Sequence, residues 1–167
     1  MTSTRTNAQG SRAYLFSIVL VAIIGGLLFG YDTAVVSGAE KALENFFSSG
    51  LDDLYTSGWH GFTVSSALLG CVIGGAISGL MASRLGRKRS LIAAAILFFV
   101  SAVGSWYPES GILPYGEPTK TLLVVFNLYR ILGGIGVGLA SAVCPMYIAE
   151  ISPARIRGTL VSCNQFA

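Results

Sequence analysis

The sequence predicts an all-α membrane protein with four transmembrane helices and the start of a fifth. The first observation is composition: 53% of the 167 residues are hydrophobic and only 11% are charged, whereas a soluble domain carries about 25% charged residues. The second is that the apolar residues form long runs, separated by short polar segments. Because so few charges cannot cover a water-facing surface, the chain is predicted to lie in the lipid bilayer.

The apolar runs define the predicted elements in order. A polar, Ser/Thr-rich stretch over residues 1–12 is predicted to be a disordered cytoplasmic tail, and residues 13–167 are predicted to form one helical region. A polar loop is expected over 38–58 and a tight basic loop over 84–89, and Pro145 is expected to bend or end the fourth helix. The predicted helices cover approximately residues 14–37, 59–82, 90–107, 121–148 and 157–167.

The charges outside the apolar runs are distributed unevenly between the two sides of the membrane. If successive spans alternate in direction, eight basic residues lie on one side and two on the other. The positive-inside rule then puts the N-terminus of this multi-pass protein in the cytoplasm, and the inner (plasma) membrane is its expected location. The eight are Arg5, Arg12, Arg84, Arg87, Lys88, Arg89, Arg155 and Arg157, and the two are Lys41 and Lys120.

Two further charges, Asp32 and Arg130, lie inside predicted spans. Such residues are rare and usually functional, since a carboxylate at the bilayer centre costs ~2.5–3.5 kcal/mol. Asp32 lies about six residues, or ~9 Å, from the outer end of the first helix, and Arg130 about nine residues, or ~13 Å, from that of the fourth. Because either charge alone would be costlier, we expect the two to pair. The pair is either a static salt bridge or a switch in which protonation of the carboxylate releases the arginine.

Glycines four residues apart recur in the predicted spans. Small residues at this spacing let two helix backbones approach closely. The glycines therefore favour a compact helical bundle over a single membrane anchor, and ordinary tight packing explains them without a further role. The pairs are Gly26 and Gly30, Gly70 and Gly74, Gly75 and Gly79, and Gly134 and Gly138.

The sequence gives little support to an enzyme. It contains no recognisable nucleophile–base pair, metal-ligand cluster or phosphate-binding loop. The three cysteines are an odd number at scattered spacing, which fits neither a disulfide framework nor a metal site. The only histidine, His60, starts the second span and is predicted to lie at the headgroup level, with a proton-relay role as the alternative. We therefore expect no catalytic activity, no cofactor and no metal, and a net charge of +3 does not suggest nucleic-acid binding.

Several linked motifs resemble the sugar-porter branch of the major facilitator superfamily, over essentially the whole chain beyond the N-terminal tail. They are GLMASRLGRKRS, YRILGGIGVG followed by PMYIAEISPARIRG, and GGLLFGYDTAVVSG together with VSCNQFA. In the first motif Ser83 stands where the family usually has Asp, and a hydroxyl does not supply the negative charge of a carboxylate. The positions that fit that motif are Gly79, Arg84, Gly86, Arg87 and Lys88.

The resemblance implies roles for individual residues. Asp32 matches the proton-coupling acid of the family and Arg130 matches its partner; facilitative carriers tend to have Asn at the acid position, so Asp32 favours symport. Phe29 matches an aromatic residue that packs near the sugar. Gln165 matches an amide that hydrogen-bonds sugar hydroxyls, with a helix–helix hydrogen bond as its alternative. A cytoplasmic gate network is expected from Arg84, Arg87, Glu150 and Arg157, although the basic loop is also explained by topology alone.

The resemblance also implies a site at the midplane between two six-helix halves. We expect residues 13–167 to be an incomplete N-terminal domain of a proton-coupled symporter that moves a monosaccharide, a xylose-like pentose or a hexose, by alternating access. The expected partners are the sugar, the proton, the lipid bilayer and the C-terminal helices of the same transporter, without nucleic acid. The alternatives are a facilitative sugar uniporter and a truncated, non-transporting helical bundle in the membrane.

Overall fold

The computed structural model describes residues 12–51, 55–108 and 118–165, which contain five α-helices and no strand. The prediction of an all-α protein is confirmed. For part of α1, including Phe29 and Asp32, and for Gln165, the description covers the backbone alone, and the predicted tail lies almost entirely outside the described residues. The helices are α1 (Arg12–Ser48), α2 (Ser57–Leu85), α3 (Arg87–Trp106), α4 (Lys120–Ile151) and α5 (Arg157–Gln165).

The first helix is longer than predicted. Its expected end at residue 37 is wrong, and so is the polar loop over 38–48, because α1 continues to Ser48. Leu43 and Phe47 lie four residues apart and share a helix face, and Phe47 is only 2% exposed. Burial of this face against the start of α4 favours the helix over a loop, despite the polar residues between the two. The apolar cluster at this end consists of Phe47, Leu51, Tyr55, Leu122 and Leu123, with Leu43 packed against it.

A single residue, Gly86, connects α2 to α3. Its φ of 82° and ψ of 155° fall in a region that is essentially restricted to glycine. The predicted basic loop over 84–89 is therefore wrong except at Gly86, because α2 continues to Leu85 and α3 begins at Arg87. The basic side chains consequently project from two helix ends that meet at a sharp turn.

The α4 helix is central and packs against each of the other four helices. At its crossing with α2, four glycines lie so close to the opposite backbone that a Cβ on any of them would collide with a carbonyl oxygen. Two of the predicted pairs thus form one interface, whereas a Cβ at Gly75 or Gly79 would meet nothing within 4 Å. The four glycines of the crossing are Gly70 and Gly74 of α2 and Gly134 and Gly138 of α4.

The opposite side of α4 packs on α3. Ser101 Oγ donates a 2.6 Å hydrogen bond to the carbonyl oxygen of Tyr129, and the absence of a side chain at Gly133 leaves room for Ser101. Pro145 lies inside α4 and does not end it, since the helix continues to Ile151. Proline is tolerated in buried membrane helices when neighbouring groups compensate for the lost backbone hydrogen bond.

The outward faces of the bundle are apolar. Among the described residues, three helices are long and apolar enough to cross a membrane, namely α2, α3 and α4. In the most apolar 18-residue stretch of each helix, 22% of the residues are buried in α2 and in α3, against 44% in α4. Large apolar side chains such as Val72 and Phe99 remain exposed, as expected for helices whose outer faces contact lipid.

Candidate functional site around Arg130

A cavity of about 180 Å³ lies between α1, α2 and α4, with Arg130 in its wall. The α1 wall is a stripe of Thr33, Val36, Ser37 and Glu40, whose spacing places them on one helix face. The space remains open because α1 contacts α2 and α4 far less extensively than α2 and α4 contact each other. The other lining residues are Val64, Ser65, Ala67, Leu68 and Cys71 of α2 and Gly134 and Val137 of α4.

Arg130 lies deep in the bundle and is only 9% exposed. It shares a face of α4 with Gly134 and Gly138, and those glycines draw α2 against this face. The close crossing therefore holds the guanidinium at the edge of the cavity and away from the lipid-facing surface. A cation held at this depth requires polar or anionic groups around it, because removing its charge from water is costly.

A buried polar contact continues from Arg130 towards the start of α4. The Asn127 side-chain amide donates hydrogen bonds to Thr63 Oγ1 at 3.3 Å and to the Leu123 carbonyl oxygen at 2.9 Å. Thr63 in turn donates to the carbonyl oxygen of Trp59 at 2.9 Å. These contacts join α2 and α4 through buried polar groups one helical turn from Arg130. The wall of the cavity itself is partly hydrophilic because Thr33, Ser37, Glu40 and Ser65 line it.

The residues predicted to bind the proton and sugar are only partly covered by the structure. The side chains of Asp32, Phe29 and Gln165 lie outside the described residues, so the pairing of Asp32 with Arg130 stays a prediction. Thr33, the neighbour of Asp32, lines the same cavity as Arg130. The α1 backbone next to Asp32 therefore passes beside the cavity.

Among the four residues predicted to form a cytoplasmic gate network, the structure shows one ion pair. Arg87 Nη2 at the start of α3 lies 2.7 Å from Glu150 Oε1 near the end of α4, with the two side chains 42% and 47% exposed. Arg157 donates a 3.4 Å hydrogen bond to the Ser152 carbonyl oxygen, and Arg84 is exposed in the last turn of α2. The structure thus joins two of the four residues directly.

A second polar cluster lies beside the cavity, where Glu40 lines its wall, and the sequence analysis did not connect the members of this cluster. His60 Nε2 lies 3.3 Å from Glu40 Oε1, and its Nδ1 lies 2.9 Å from the Tyr55 hydroxyl. Burial raises the pKa of the Tyr55 phenol above its usual value, and the negative charge of Glu44 adds to the effect, while a hydrogen bond with Thr63 opposes it. The sequence signal that could have revealed this cluster was Glu40. Once α1 is known to continue to Ser48, Glu40 falls on the same helix face as Thr33 and Ser37.

Comparison with known proteins shows which family shares this sequence and architecture. A family model described as "Sugar (and other) transporter" matches residues 18–167. The D-xylose-proton symporter of Escherichia coli K12 is 52% identical over 96% of this chain and 34% of its own length. The glucose transport protein of Synechocystis is 41% identical over 99% of this chain and 31% of its own length.

The same relationship holds at the level of the fold. A structure of the E. coli xylose transporter in a partially occluded inward-open conformation superposes with a TM-score of 0.84 at 52% identity, covering 92% of this chain and 38% of that one. The chain spans about a third of the length of the relatives it matches. Its helices thus correspond to part of the major facilitator fold, and the chain belongs to the family of sugar (and other) transporters.

Proposed function

We propose that the chain forms the N-terminal part of a proton-coupled symporter for a monosaccharide, a xylose-like pentose or a hexose, with its N-terminus in the cytoplasm. The observation that carries the proposal is the buried Arg130 beside a partly polar cavity at the level of Asp32. The 52% identity to a D-xylose-proton symporter supports the same substrate class. The remaining helices of such a transporter would supply the rest of the sugar site and the second moving half.

In this proposal Asp32 carries the coupled proton and Arg130 responds to its charge. The deprotonated carboxylate attracts the guanidinium across the cavity and holds α1 against α4. Protonation neutralises the carboxylate and removes that attraction, so α1 is free to move relative to α4. Phe29 and Gln165 contribute an aromatic face and an amide to the sugar, and no cofactor or enzymatic step takes part.

At the cytoplasmic end, Arg87 and Glu150 act as part of a gate. Their ion pair fastens the start of α3 to the end of α4, and both side chains are accessible enough to exchange this contact for water. An exposed ion pair is worth only about 0–1 kcal/mol. Such a contact is weak enough to break and re-form in each transport cycle.

The decisive experiment uses a chimera in which this chain replaces the matching N-terminal third of the E. coli D-xylose-proton symporter. Asp32→Asn should abolish uphill sugar accumulation driven by a proton gradient in proteoliposomes, while sugar exchange between the two sides persists. Glu44→Gln is the matched control, because Glu44 is an exposed acid on the same helix outside the cavity. Undiminished accumulation by Asp32→Asn would refute the proton-coupling role.

The chain by itself provides a second test. Proteoliposomes that contain only the 167-residue chain should show no sugar uptake above that of empty vesicles, because the chain supplies only part of one of the two moving halves. Measurable uptake would contradict this reasoning and would indicate a carrier assembled from several copies.

A further inference from the structure

The contact between Glu40 and His60 joins two elements at the edge of the Arg130 cavity. Glu40 is both a wall residue of the cavity and the acceptor of the 3.3 Å contact from His60 Nε2. Its side chain is 46% exposed, whereas that of His60 is 16% exposed. Glu40 is therefore the one carboxylate among the described residues that reaches both the solvent and the cavity.

We propose that Glu40 takes up the transported proton from the outer solution and passes it into the Arg130 cavity, with His60 holding the carboxylate in place. We call Glu40 and His60 the outer pair. The inference rests on the proposed proton-coupled function, to which it adds a defined route for the proton. A series of carboxylates and histidines along a pathway is the usual means by which membrane proteins conduct protons.

The hydrogen bonds fix how the outer pair is arranged. A carboxylate can only accept hydrogen bonds, so Nε2 of His60, which faces Glu40 Oε1, carries the imidazole proton and donates it. In this neutral tautomer Nδ1 is an acceptor, and the Tyr55 hydroxyl donates to it. This arrangement leaves the second carboxylate oxygen of Glu40 available to a water molecule.

The proton transfer is balanced in two steps. A hydronium ion in the outer solution gives its proton to the Glu40 carboxylate, forming water and a carboxylic acid. The acid then gives that proton to a water molecule in the cavity and returns to the carboxylate, and the proton continues to Asp32. The charged and titratable groups around the outer pair are Glu44 on α1, Tyr55 before α2, and Arg130 on α4 at the far wall of the cavity.

Water must bridge the interval between the outer pair and Asp32. Glu40 lies eight residues beyond Asp32, or ~12 Å along the helix, which is too far for direct transfer. The cavity of about 180 Å³ accommodates several water molecules, each of which occupies about 30 Å³ in the liquid. Ser37 lies between the two levels on the same wall, and its hydroxyl can both donate and accept hydrogen bonds to that water.

The test compares Glu40→Gln and Glu44→Gln in the chimera described above. Glu40→Gln should slow proton-driven sugar uptake by about tenfold or more, because the amide cannot take up and release a proton as the carboxylate does, with the largest effect at high outer pH, where protons are scarce. Sugar exchange, which needs no net proton movement, should stay within about twofold of the parent, and Glu44→Gln should match the parent throughout. Equal loss of uptake and exchange, or parental uptake at every pH, would overturn the proposal.

The outcome separates this inference from the proposed function. If Asp32→Asn abolishes accumulation while Glu40→Gln behaves like the parent, the outer pair is excluded and proton coupling stands. If Asp32→Asn accumulates sugar normally, proton coupling through this site fails, and the route proposed for its proton fails with it. A selective loss of proton-driven uptake in both variants supports both statements.

The 167-residue chain in detergent allows a direct check of the arrangement. His60 is its only histidine, so nitrogen NMR of a histidine-labelled sample reports this imidazole without ambiguity. At neutral or mildly alkaline pH the neutral ring should carry its proton on Nε2, and Tyr55→Phe should increase the Nδ1-protonated tautomer. A parent chain in which the Nδ1-protonated form dominates would contradict the proposed hydrogen-bond chain.

Discussion

Gly74 and Gly75 offer a closely matched pair of positions for testing the α2–α4 interface. The two glycines are consecutive in the same helix, but they face different surroundings. A Cβ at Gly74 would collide with the Ile135 carbonyl oxygen and lie 2.9 Å from the Ile135 carbonyl carbon, whereas a Cβ at Gly75 would meet nothing within 4 Å. Gly74→Ala should therefore destabilise the bundle, and Gly75→Ala should not.

The expected magnitude follows from the two environments. Alanine is the better helix former by about 0.8–1.0 kcal/mol, and this gain applies equally to both variants and cancels in their difference. At Gly74 the added methyl group meets backbone, which cannot rotate away as a side chain can, so the helices must separate. Overpacking of this kind costs about 1–3 kcal/mol, which corresponds to about a 5- to 150-fold difference between the two variants in the unfolding equilibrium constant.

The assay is reversible unfolding of the chain in mixed micelles, followed by the fluorescence of its two tryptophans and by helicity. The difference in unfolding free energy between the two variants is the quantity of interest, because both are measured in the same micelles and share the gain in helix propensity. Equal unfolding free energies for the two variants would refute the close backbone contact. A larger loss at Gly75 would place the interface on the other side of α2.

Three further predictions concern the helix ends. Glu150→Gln removes the 2.7 Å contact with Arg87, but unfolding in the same assay should change by less than about 1 kcal/mol, because the pair is exposed; a loss of several kcal/mol would reveal a buried pair. Gly86→Ala forces a side chain onto a φ of 82° and should cost about 1–3 kcal/mol, and stability equal to that of Gly75→Ala would contradict the assigned turn. The raised pKa of Tyr55 predicts a pH dependence: its stabilising contribution is complete below about pH 10 and is lost above it, since the phenol of the unfolded chain ionises first. Unfolding curves recorded from neutral to alkaline pH should show a larger loss in the parent than in Tyr55→Phe, and identical profiles would rule out this contribution.

The helical interiors could be predicted from the sequence because the signal is local. Long apolar runs indicate membrane-spanning helices by composition alone, and the interiors of α2, α3 and α4 lie where the runs place them. The ends could not be predicted in the same way. The extension of α1 to Ser48 depends on the burial of Phe47 against Leu122 and Leu123, which are about 75 residues away in the sequence.

The candidate site shows the same division. Asp32 and Arg130 stand out in the sequence because a charge in an apolar run is costly wherever the run folds. The pairing of Glu40 with His60 does not stand out, since Glu40 belongs to a segment polar enough to be interpreted as a loop and His60 to one interpreted as membrane interface. Their contact requires α1 to continue as a helix to residue 40 and α2 to begin beside it.

The sequence by itself determined that this chain is a multi-helix membrane protein of a sugar transporter family, because composition, hydropathy and motifs are properties of the chain before it folds. It also identified the charges that a bilayer makes costly. The tertiary structure alone decided which of the glycine pairs form an interface and which carboxylate faces the cavity. Gly70 and Gly74 are four residues apart in the sequence, and so are Gly75 and Gly79. Only the direction in which each pair faces, which is set by the packing of α2 on α4, distinguishes a close contact from open space.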